Sequence, residues 1–434
     1  MAKEEKKGPV PKLRFPEFQN AGDWTTEKLG AVAAISTEKV GANICVPMSI
    51  TSGVGLVSQA DKFGRVIAGD SYKNYLLLKP NDFAYNKSAT KDYPEGFLTL
   101  YSGTELAAVP NSIFTCFRIN GTSPDTRFLN YQFSDNLHGR WLRKFIQVGA
   151  RAHGSLSVND SDLMALPVPV PAGTKSVAEQ QKIANCLSSL DELIAAQERK
   201  VETLKTYKRG LMQQLFPREG ETLPRLRFPE FRDAPEWSKT PLGDLVDLLS
   251  GYPFNGTDIV EDSAGVPLMR GINVTEGSVR HSREIDRYYL GPLDGLEKYR
   301  LELNDLVIGM DGSKVGKNSA LISEADADSL LIQRVARLRA TSVSAIKFIF
   351  QQIHSPRFHA YVDRINTSSG IPHISAKQIK EFPIHSTGKE EQQRVAEFLS
   401  FVDTQIVAET DKFIAFKAHK KGLMQQLFPS MEET

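Results

Sequence analysis

The stretch Lys208-Arg-Gly-Leu-Met-Gln-Gln-Leu-Phe-Pro217 recurs almost unchanged as Lys420-Lys-Gly-Leu-Met-Gln-Gln-Leu-Phe-Pro429. Each copy ends a longer repeat, which begins at Glu179-Gln-Gln-Lys-Ile-Ala-Asn185 in the first case and at Glu391-Gln-Gln-Arg-Val-Ala-Glu397 in the second. Both ends are displaced by the same 212 residues, since 391 − 179 and 429 − 217 agree. No residue has been inserted or lost between the two ends, so the two copies are repeats of the same structural element.

Apolar residues in each copy follow steps of three and four, the spacing of a coiled-coil seam. They are Ile183, Leu187, Leu190, Ile194, Val201, Leu204, Leu211 and Leu215, and then Val395, Leu399, Val402, Ile406, Phe413, Phe416, Leu423 and Leu427. So narrow a stripe, over about 33 residues and roughly 50 Å, needs a partner helix. We expect the two copies to pair as an antiparallel coiled coil. The alternative is that each helix packs only on its own domain.

Local signals also bound the two helices. Ser176 and Thr387 are candidate N-caps, and Glu179 and Glu390 follow them at the spacing of a capping box. Pro217 and Pro429 cannot continue a helix, so each helix should stop before them.

Composition limits the class of protein. Of 434 residues, 41% are hydrophobic, and 53 basic residues nearly balance 52 acidic ones. The net charge of +1 excludes a generally basic coat for nucleic acid, so any such contact must come from local patches. Three widely spaced cysteines match neither a disulfide framework nor a zinc site, and we expect them to be small buried residues. Without a signal sequence or a long apolar run, we expect a cytoplasmic protein outside the membrane.

A second motif precedes each half of the chain. Lys12-Leu-Arg-Phe-Pro-Glu-Phe18 recurs as Arg225-Leu-Arg-Phe-Pro-Glu-Phe231, displaced by 213 residues. Its aromatic residues predict an extended segment that packs on the base of the preceding helix. The chain thus reads as motif, variable domain and helix, twice over.

The two variable parts share a rhythm of short strands followed by helices, although few of their residues are identical. Strand-like runs include Val46–Ile50 and Ile113–Ile119 in the first, and helical stretches are predicted near 128–145 and 346–365. We predict a mixed α/β fold with two homologous domains, an internal pseudo-twofold repeat and two long helices. The first domain, with its motif, spans 1–170, and the central helix spans 171–217. The second domain, with its motif, spans 218–386, and the last helix spans 387–434.

The sequence holds no recognisable catalytic constellation. Asp311-Gly-Ser-Lys-Val-Gly-Lys-Asn318 resembles a phosphate loop but is one residue too short and ends in Asn318 where Ser or Thr is required. Gly53-Val-Gly55 lacks the third glycine of a dinucleotide site and is more typical of a turn between strands. The histidines form no metal-binding pattern, and we expect most of them at the surface or at caps. A Ser/His/Asp site built from distant positions stays open.

Basic and polar residues recur instead on corresponding loops of the two domains. Such side chains suit contacts to phosphates and purine edges, so we predict no catalytic or metal-binding residues in this chain and a set of DNA contacts. The candidates are Lys62, Arg65, Asn86, Lys87, Lys91, Tyr93, Arg151, His153 and Ser155 in the first domain, and Arg270, Asn273, Ser313, Lys314, Lys317, Arg364, Asn366 and Ser368 in the second.

The chain resembles the specificity subunit of type I restriction-modification enzymes. The resemblance covers nearly its whole length and lies in the two helix endings, the Leu-Arg-Phe-Pro-Glu-Phe blocks and the loops Asp82-Phe-Ala-Tyr-Asn-Lys-Ser88 and Asp311–Lys317. It implies that each domain is a target recognition domain that reads one half of a bipartite, asymmetric site in double-stranded DNA. It further implies that the helices set the spacing and dock two methyltransferase subunits, and that two restriction (motor-nuclease) subunits complete a phage-defence complex.

The same resemblance implies that this chain binds no cofactor, and that S-adenosylmethionine, ATP and Mg²⁺ belong to the partner subunits. Heads at the two ends of a roughly 50 Å coil would meet DNA about one to one and a half turns apart. Two alternatives compete with this interpretation. One is a non-catalytic scaffold whose two domains bind protein or another polymer, and the other is a hydrolase or self-contained methyltransferase.

Overall fold

The computed structural model describes residues 9–51, 53–146, 156–342, 344–366 and 372–429. The chain divides into two compact units, Met1–Glu198 with Asp411–Thr434, and Arg199–Thr410. The division falls inside both long helices, so each unit holds one domain and a part of each helix.

The described residues of the first domain form three small sheets and five short α-helices. In chain order these are β1 (Trp24–Lys28), α1 (Leu29–Val32), β2 (Ala33–Ser36), β3 (Val46–Thr51), β4 (Gly55–Ser58), α2 (Gln59–Phe63), β5 (Leu76–Leu78), β6 (Phe83–Asn86), β7 (Phe97–Leu100), β8 (Ala107–Val109), β9 (Phe114–Ile119), α3 (Thr126–Ser134), α4 (Leu137–Leu142), α5 (Asp160–Met164) and β10 (Pro167–Pro171). The long helix α6 (Ser176–Leu215) follows.

The second domain has a similar, but not identical, order of elements. Its elements are β11 (Ser238–Pro241), β12 (Val246–Ser250), β13 (Ile259–Val260), β14 (Val266–Met269), β15 (Tyr288–Tyr289), β16 (Leu306–Gly309), β17 (Ser319–Leu321), β18 (Leu330–Leu331), β19 (Val335–Ala340), α7 (Ile346–Ile353), α8 (Pro356–Ile365), α9 (Ala376–Glu381) and β20 (Pro383–Ser386). The second long helix, α10 (Lys389–Leu427), completes it. The mixed α/β fold and the long helices predicted from the sequence are confirmed.

One antiparallel sheet has the same strand order in both domains. It runs β2-β9-β6-β7 in the first domain and β12-β19-β16-β17 in the second. A two-stranded pair, β1 with β10 and β11 with β20, also recurs. The remaining four-stranded sheets differ, since the order is β4-β3-β8-β5 in one and β13-β15-β14-β18 in the other.

The turn that enters the middle strand of each repeated sheet is built identically. Asn81 and Asn304 adopt left-handed φ values of 69° and 68°, a conformation that asparagine tolerates better than most residues. The next residue, Asp82 or Asp305, is buried and accepts two hydrogen bonds from an arginine on the neighbouring strand, at 2.5 and 2.7 Å in the first domain and 2.8 Å twice in the second. This ion pair is repeated in both domains and fixes the sheet, whereas the loop that follows the strand differs between the domains.

The long helices pack against each other within each unit. In the first unit the start of α6 and the end of α10 share one core, which includes Leu187 and Leu427, and Lys420 of α10 pairs with Asp191 of α6. The second unit joins the end of α6 to the start of α10, through a core that includes Leu215 and Leu399. The start of one helix meets the end of the other in both units, so they run antiparallel. All sixteen predicted seam residues are buried or half-buried.

The repeated Leu-Arg-Phe-Pro-Glu-Phe motifs join the helix ends. In the first unit the Leu13 amide donates to Gln426 O at the end of α10, and Arg14 forms two 2.7 Å bonds to Glu179 near the start of α6. The second unit repeats both contacts with Leu226, Gln214, Arg227 and Glu391. The expected capping box at Glu179 is therefore wrong, because this carboxylate binds Arg14 and the Ser176 hydroxyl donates to Pro171 O.

Two histidines and one cysteine depart from the positions expected for their residue types, although most of the described histidines are exposed or half-buried. His138 and His385 lie in the domain interiors, at 2% and 4% exposure, and not at the surface. The His138 ring packs against Tyr85 and Phe133, and the His385 amide donates to Gln352, so tertiary packing decides their position. Cys45 and Cys116 are buried as expected, whereas Cys186 on α6 is only half-buried.

Candidate nucleic-acid interface

Three loop segments meet around the β3–β4 hairpin of the first domain. Lys62, at the end of α2, is exposed and reaches back to Ser49 Oγ at 3.4 Å and to the Ile50 carbonyl. Gly53 in the hairpin turn has a φ of +77°, and the Tyr93 hydroxyl lies 3.3 Å from where a Cβ on it would stand. The hairpin, Lys62 and Tyr93 therefore form one surface. Arg65 and Lys91 are exposed on the adjoining loops.

Two other first-domain candidates hold loops in place. Asn86 ends β6 and is buried, and its side chain accepts a 2.7 Å hydrogen bond from the Ser88 amide. Lys87 pairs with Asp160 at 3.4 Å, while its carbonyl accepts from the Leu156 amide at 2.6 Å. These residues order the loop that leads to Tyr93, and Lys87 keeps a partly exposed ammonium group.

The corresponding loop of the second domain, Asp311–Lys317, is tied down by charges on three sides. Lys314 pairs with Glu276 at 3.4 Å and Lys317 with Asp363 at 3.2 Å. Asp311 binds Arg334 at 2.8 Å, and Ser313 and Lys314 remain exposed at the tip. The glycines of this loop, which resembled a phosphate loop in the sequence, adopt left-handed φ values of 90° and 68° and shape a tight turn.

Arg270 and Asn273 stabilise a neighbouring loop. Asn273 is 1% exposed, and its amide group donates to the Arg280 carbonyl at 3.2 Å and to Asp286 at 2.9 Å. The Arg270 guanidinium donates to the Ile285 carbonyl at 2.8 Å. Both side chains are used inside the domain, so their structural role is to support the segment between β14 and β15.

Of the remaining candidates, some lie outside the described residues and two lie at the end of α8. Arg151, His153, Ser155 and Ser368 lie outside the described residues. Arg364 is exposed at the end of α8. Asn366 follows it, donates to the Val362 carbonyl at 2.9 Å and accepts from the His373 amide at 2.8 Å.

Arg334 belongs to this surface, although the sequence pattern concealed it. The run Leu331–Leu338 predicts one strand, but the structure breaks it into β18 and β19 with Arg334 at φ 69° between them. A non-glycine residue held in this conformation is strained and often marks a functional loop. Its side chain is exposed and contacts Asp311, which places a further cation beside Ser313 and Lys314.

The surface chemistry suits a polyanion. Lysines and arginines are exposed on loops of both domains, and charged hydrogen-bond donors at fixed positions can bind phosphates and base edges. Across the described ranges, no group of three or more His, Cys, Asp and Glu could hold a metal ion. In the same ranges, no helix has the length and apolar character needed to cross a membrane.

These features define a class: a duplicated protein in which two α/β domains, each carrying divergent cationic loops, are built on paired long helices. A model of the family described as type I restriction modification DNA specificity domain matches residues 235–414. The type I restriction enzyme MjaVIII specificity subunit of Methanocaldococcus jannaschii is 25% identical over 65% of this chain and 66% of its own length. The EcoAI specificity subunit of Escherichia coli is 31% identical over 37% of this chain and 27% of its own length.

A solved structure has the same overall fold. The S subunit of a type I restriction-modification system from M. genitalium superposes with a TM-score of 0.60 at 14% identity, covering 98% of this chain and all of that one. A second solved chain comes from a structure that describes complex assembly and conformational transition of the type I R-M system. It superposes with a TM-score of 0.53 at 15% identity, over 94% of this chain and 98% of its own length. Residues 235–414 thus match the type I restriction modification DNA specificity domain, and the chain is similar to type I specificity subunits.

Proposed function

We propose that this chain is the DNA-recognition subunit of a type I restriction-modification complex. Each domain reads one half of a bipartite, asymmetric site, and the paired helices set the distance between the halves. The chain performs no catalysis of its own. In this proposal it works in the cytoplasm and directs partner enzymes to DNA.

A single contrast carries the proposal. The two domains keep the same turn and ion pair, Asp82 with Arg118 and Asp305 with Arg339, but place different side chains on the loop that follows. A protein that must hold two heads alike and read two different sequences needs this combination, since base readout depends on which side chains reach the groove.

The partners follow from the helices and from the family. Two methyltransferase subunits would dock on α6 and α10, and two restriction subunits would join the complete complex. S-adenosylmethionine, ATP and Mg²⁺ would be bound by those subunits. Exposed apolar side chains on the two helices, such as Tyr207, Phe401 and Ile414, offer area for such docking.

The direct test is to express this chain with its methyltransferase subunit in an otherwise unmethylated host and to map N6-methyladenine across the genome. We expect one motif with two specific halves and an unspecific gap, absent when this chain is omitted. If an active methyltransferase produced no methylation that depends on this chain, the proposal would fail and a protein-binding scaffold would replace it. Contiguous specific halves would contradict the spacing role of the helices.

A further inference from the structure

A cation rests on an aromatic ring at the end of α4 in the first domain. The Lys144 ammonium lies 3.4 Å from the centroid of the Trp141 ring. The ring itself is held, because the Trp141 indole N–H donates to the Asp162 carbonyl in α5 at 2.8 Å. Lys144 is therefore an exposed cation whose seat is fixed by a neighbouring helix.

The second domain has the same arrangement with other residues. The Arg364 guanidinium lies 5.9 Å from the centroid of the Tyr361 ring, at the end of α8. The Tyr361 hydroxyl donates to the Gln378 carbonyl in α9 at 2.9 Å. In both domains the cation follows the ring by three residues, and the ring donates to the short helix that precedes β10 or β20.

These two cations differ from most of those around them in having no carboxylate partner among the described residues. Neighbouring basic side chains are paired with carboxylates: Arg143 with Glu95, Lys317 with Asp363 and Lys314 with Glu276. An aromatic face attracts a cation without cancelling its charge. Lys144 and Arg364 thus remain available to an anion while their freedom is already reduced, which lowers the cost of ordering them on binding.

We infer that Lys144 and Arg364 are equivalent contacts to DNA backbone phosphates, one in each domain, and that Trp141 and Tyr361 position them. The inference rests on the proposed function. The domains differ in the loops that would read bases, yet they keep this pair, as expected for a contact to the part of DNA that is the same in every sequence. The contact fixes each domain on the duplex and carries no sequence preference.

The test uses the full-length chain co-purified with its methyltransferase subunit, bound to a duplex with the mapped site and to a scrambled duplex over a series of salt concentrations. Lys144→Ala and Arg364→Ala should each lower the slope of log affinity against log salt by about 0.9, and the double variant by about 1.8. Affinity should fall by the same factor for both duplexes. Lys144→Arg and Arg364→Lys should restore the slope.

Arg143→Ala is the matched control, because it also removes one positive charge, at the residue next to Lys144. The Arg143 guanidinium is already bound to Glu95, at 2.6 and 2.8 Å. The variant should leave the slope unchanged. Trp141→Phe and Tyr361→Phe keep the ring but remove the donor that anchors it, so affinity should fall two- to threefold, on the order of 0.5 kcal/mol, with the slope intact.

Several results would overturn the inference. Unchanged slopes for both alanine variants, with normal site binding by the wild-type complex, would remove Lys144 and Arg364 from the interface and leave the proposed function standing. An equal loss of slope in Arg143→Ala would show that the aromatic seat confers nothing. Unchanged affinity in both phenylalanine variants would remove the positioning role. Absence of site binding by the wild-type complex would contradict the proposed function itself.

Discussion

The joints between motif and helix are the same in both halves of the chain, whereas the loops beyond the repeated sheet are different. Arg14 binds Glu179 in the first unit with the geometry that Arg227 and Glu391 have in the second, at 2.7 to 2.8 Å. The strand β6 ends at Asn86 and is followed by Lys87, whereas its counterpart β16 ends at Gly309 and is followed by Met310. The contacts between motif and helix are therefore a shared structural feature of the two halves, whereas the loops differ in the side chains that they can offer to a ligand.

The largest effect should come from breaking a joint. Arg14→Ala or Arg227→Ala would leave Glu179 or Glu391 buried without its charge partner, since these carboxylates are 1% and 3% exposed. We expect each variant to lower the free energy of unfolding by about 3–5 kcal/mol. Chemical denaturation followed by tryptophan fluorescence measures this, with Trp24 and Trp141 as probes in the first unit and Trp237 in the second.

The control for the joint is Arg225→Ala, which removes an exposed arginine two residues from Arg227. Arg225 lies 3.9 Å from Glu221, and both side chains are largely in solvent. It should cost less than about 1 kcal/mol. A large loss for only one of Arg14→Ala and Arg227→Ala would show that the two joints are not equivalent.

The buried histidines predict a similar loss of stability in acid for both units. Burial lowers the pKa of His138 and of His385 to about 4, from about 6.5 in an unfolded chain. The unfolded state binds the proton first, so stability is complete above about pH 6.5 and falls as the pH drops towards 4, by about 3 kcal/mol for each histidine. Unfolding free energies measured from pH 7 to pH 4 test this.

Single variants separate the contributions to the acid response. His138→Gln or His385→Gln should flatten the dependence of stability on pH in its own unit, whatever its effect at pH 7. His419→Gln, at an exposed position on α10, is the control and should leave the dependence unchanged. An acid response that persists without both buried histidines would assign it to other groups.

The smallest of these effects should come from the second-domain loop. Lys314→Ala with Lys317→Ala should weaken DNA binding and lower the salt slope, because each lysine can neutralise one phosphate. Both already have a carboxylate partner, so the slope should fall by less than the about 1.8 expected for two free cations. Binding titrations at several salt concentrations give the slope. No change in affinity or slope would remove both residues from the interface.

The sequence predicted those parts of the fold that follow a simple period. Seam residues at steps of three and four are buried or half-buried, and the stretch near 346–365 is helical, with a break at His354 and Ser355 that separates α7 from α8. The structure also gives Asn81-Asp82 and Asn304-Asp305, the same two residue types in both domains, the same left-handed turn. In these places the local pattern and the tertiary structure require the same residues.

The interface could be predicted only in part, because exposure on a loop depends on distant contacts. Asn273 is a residue type that often contacts DNA, but its side chain is hydrogen-bonded to Asp286 inside its domain. Arg334 lies in an apparent strand, and its left-handed turn leaves no signal in the residue types. The sequence does not reveal that Trp141 and Tyr361 are equivalent, because one is a tryptophan and the other a tyrosine. Their equivalence lies in the hydrogen bond that each donates to the helix that follows.

The most direct measurement of the central claim is to map the methylated motif for two variants of the complex. One carries Lys62→Ala, Lys91→Ala and Tyr93→Ala in the first domain, and the other carries Ser313→Ala, Lys314→Ala and Arg334→Ala in the second. We predict that each set relaxes the base preference in a different half of the motif and leaves the length of the gap unchanged. If both sets altered the same half, or if either changed the gap, the account of two independent reading domains on a fixed helical scaffold would be contradicted.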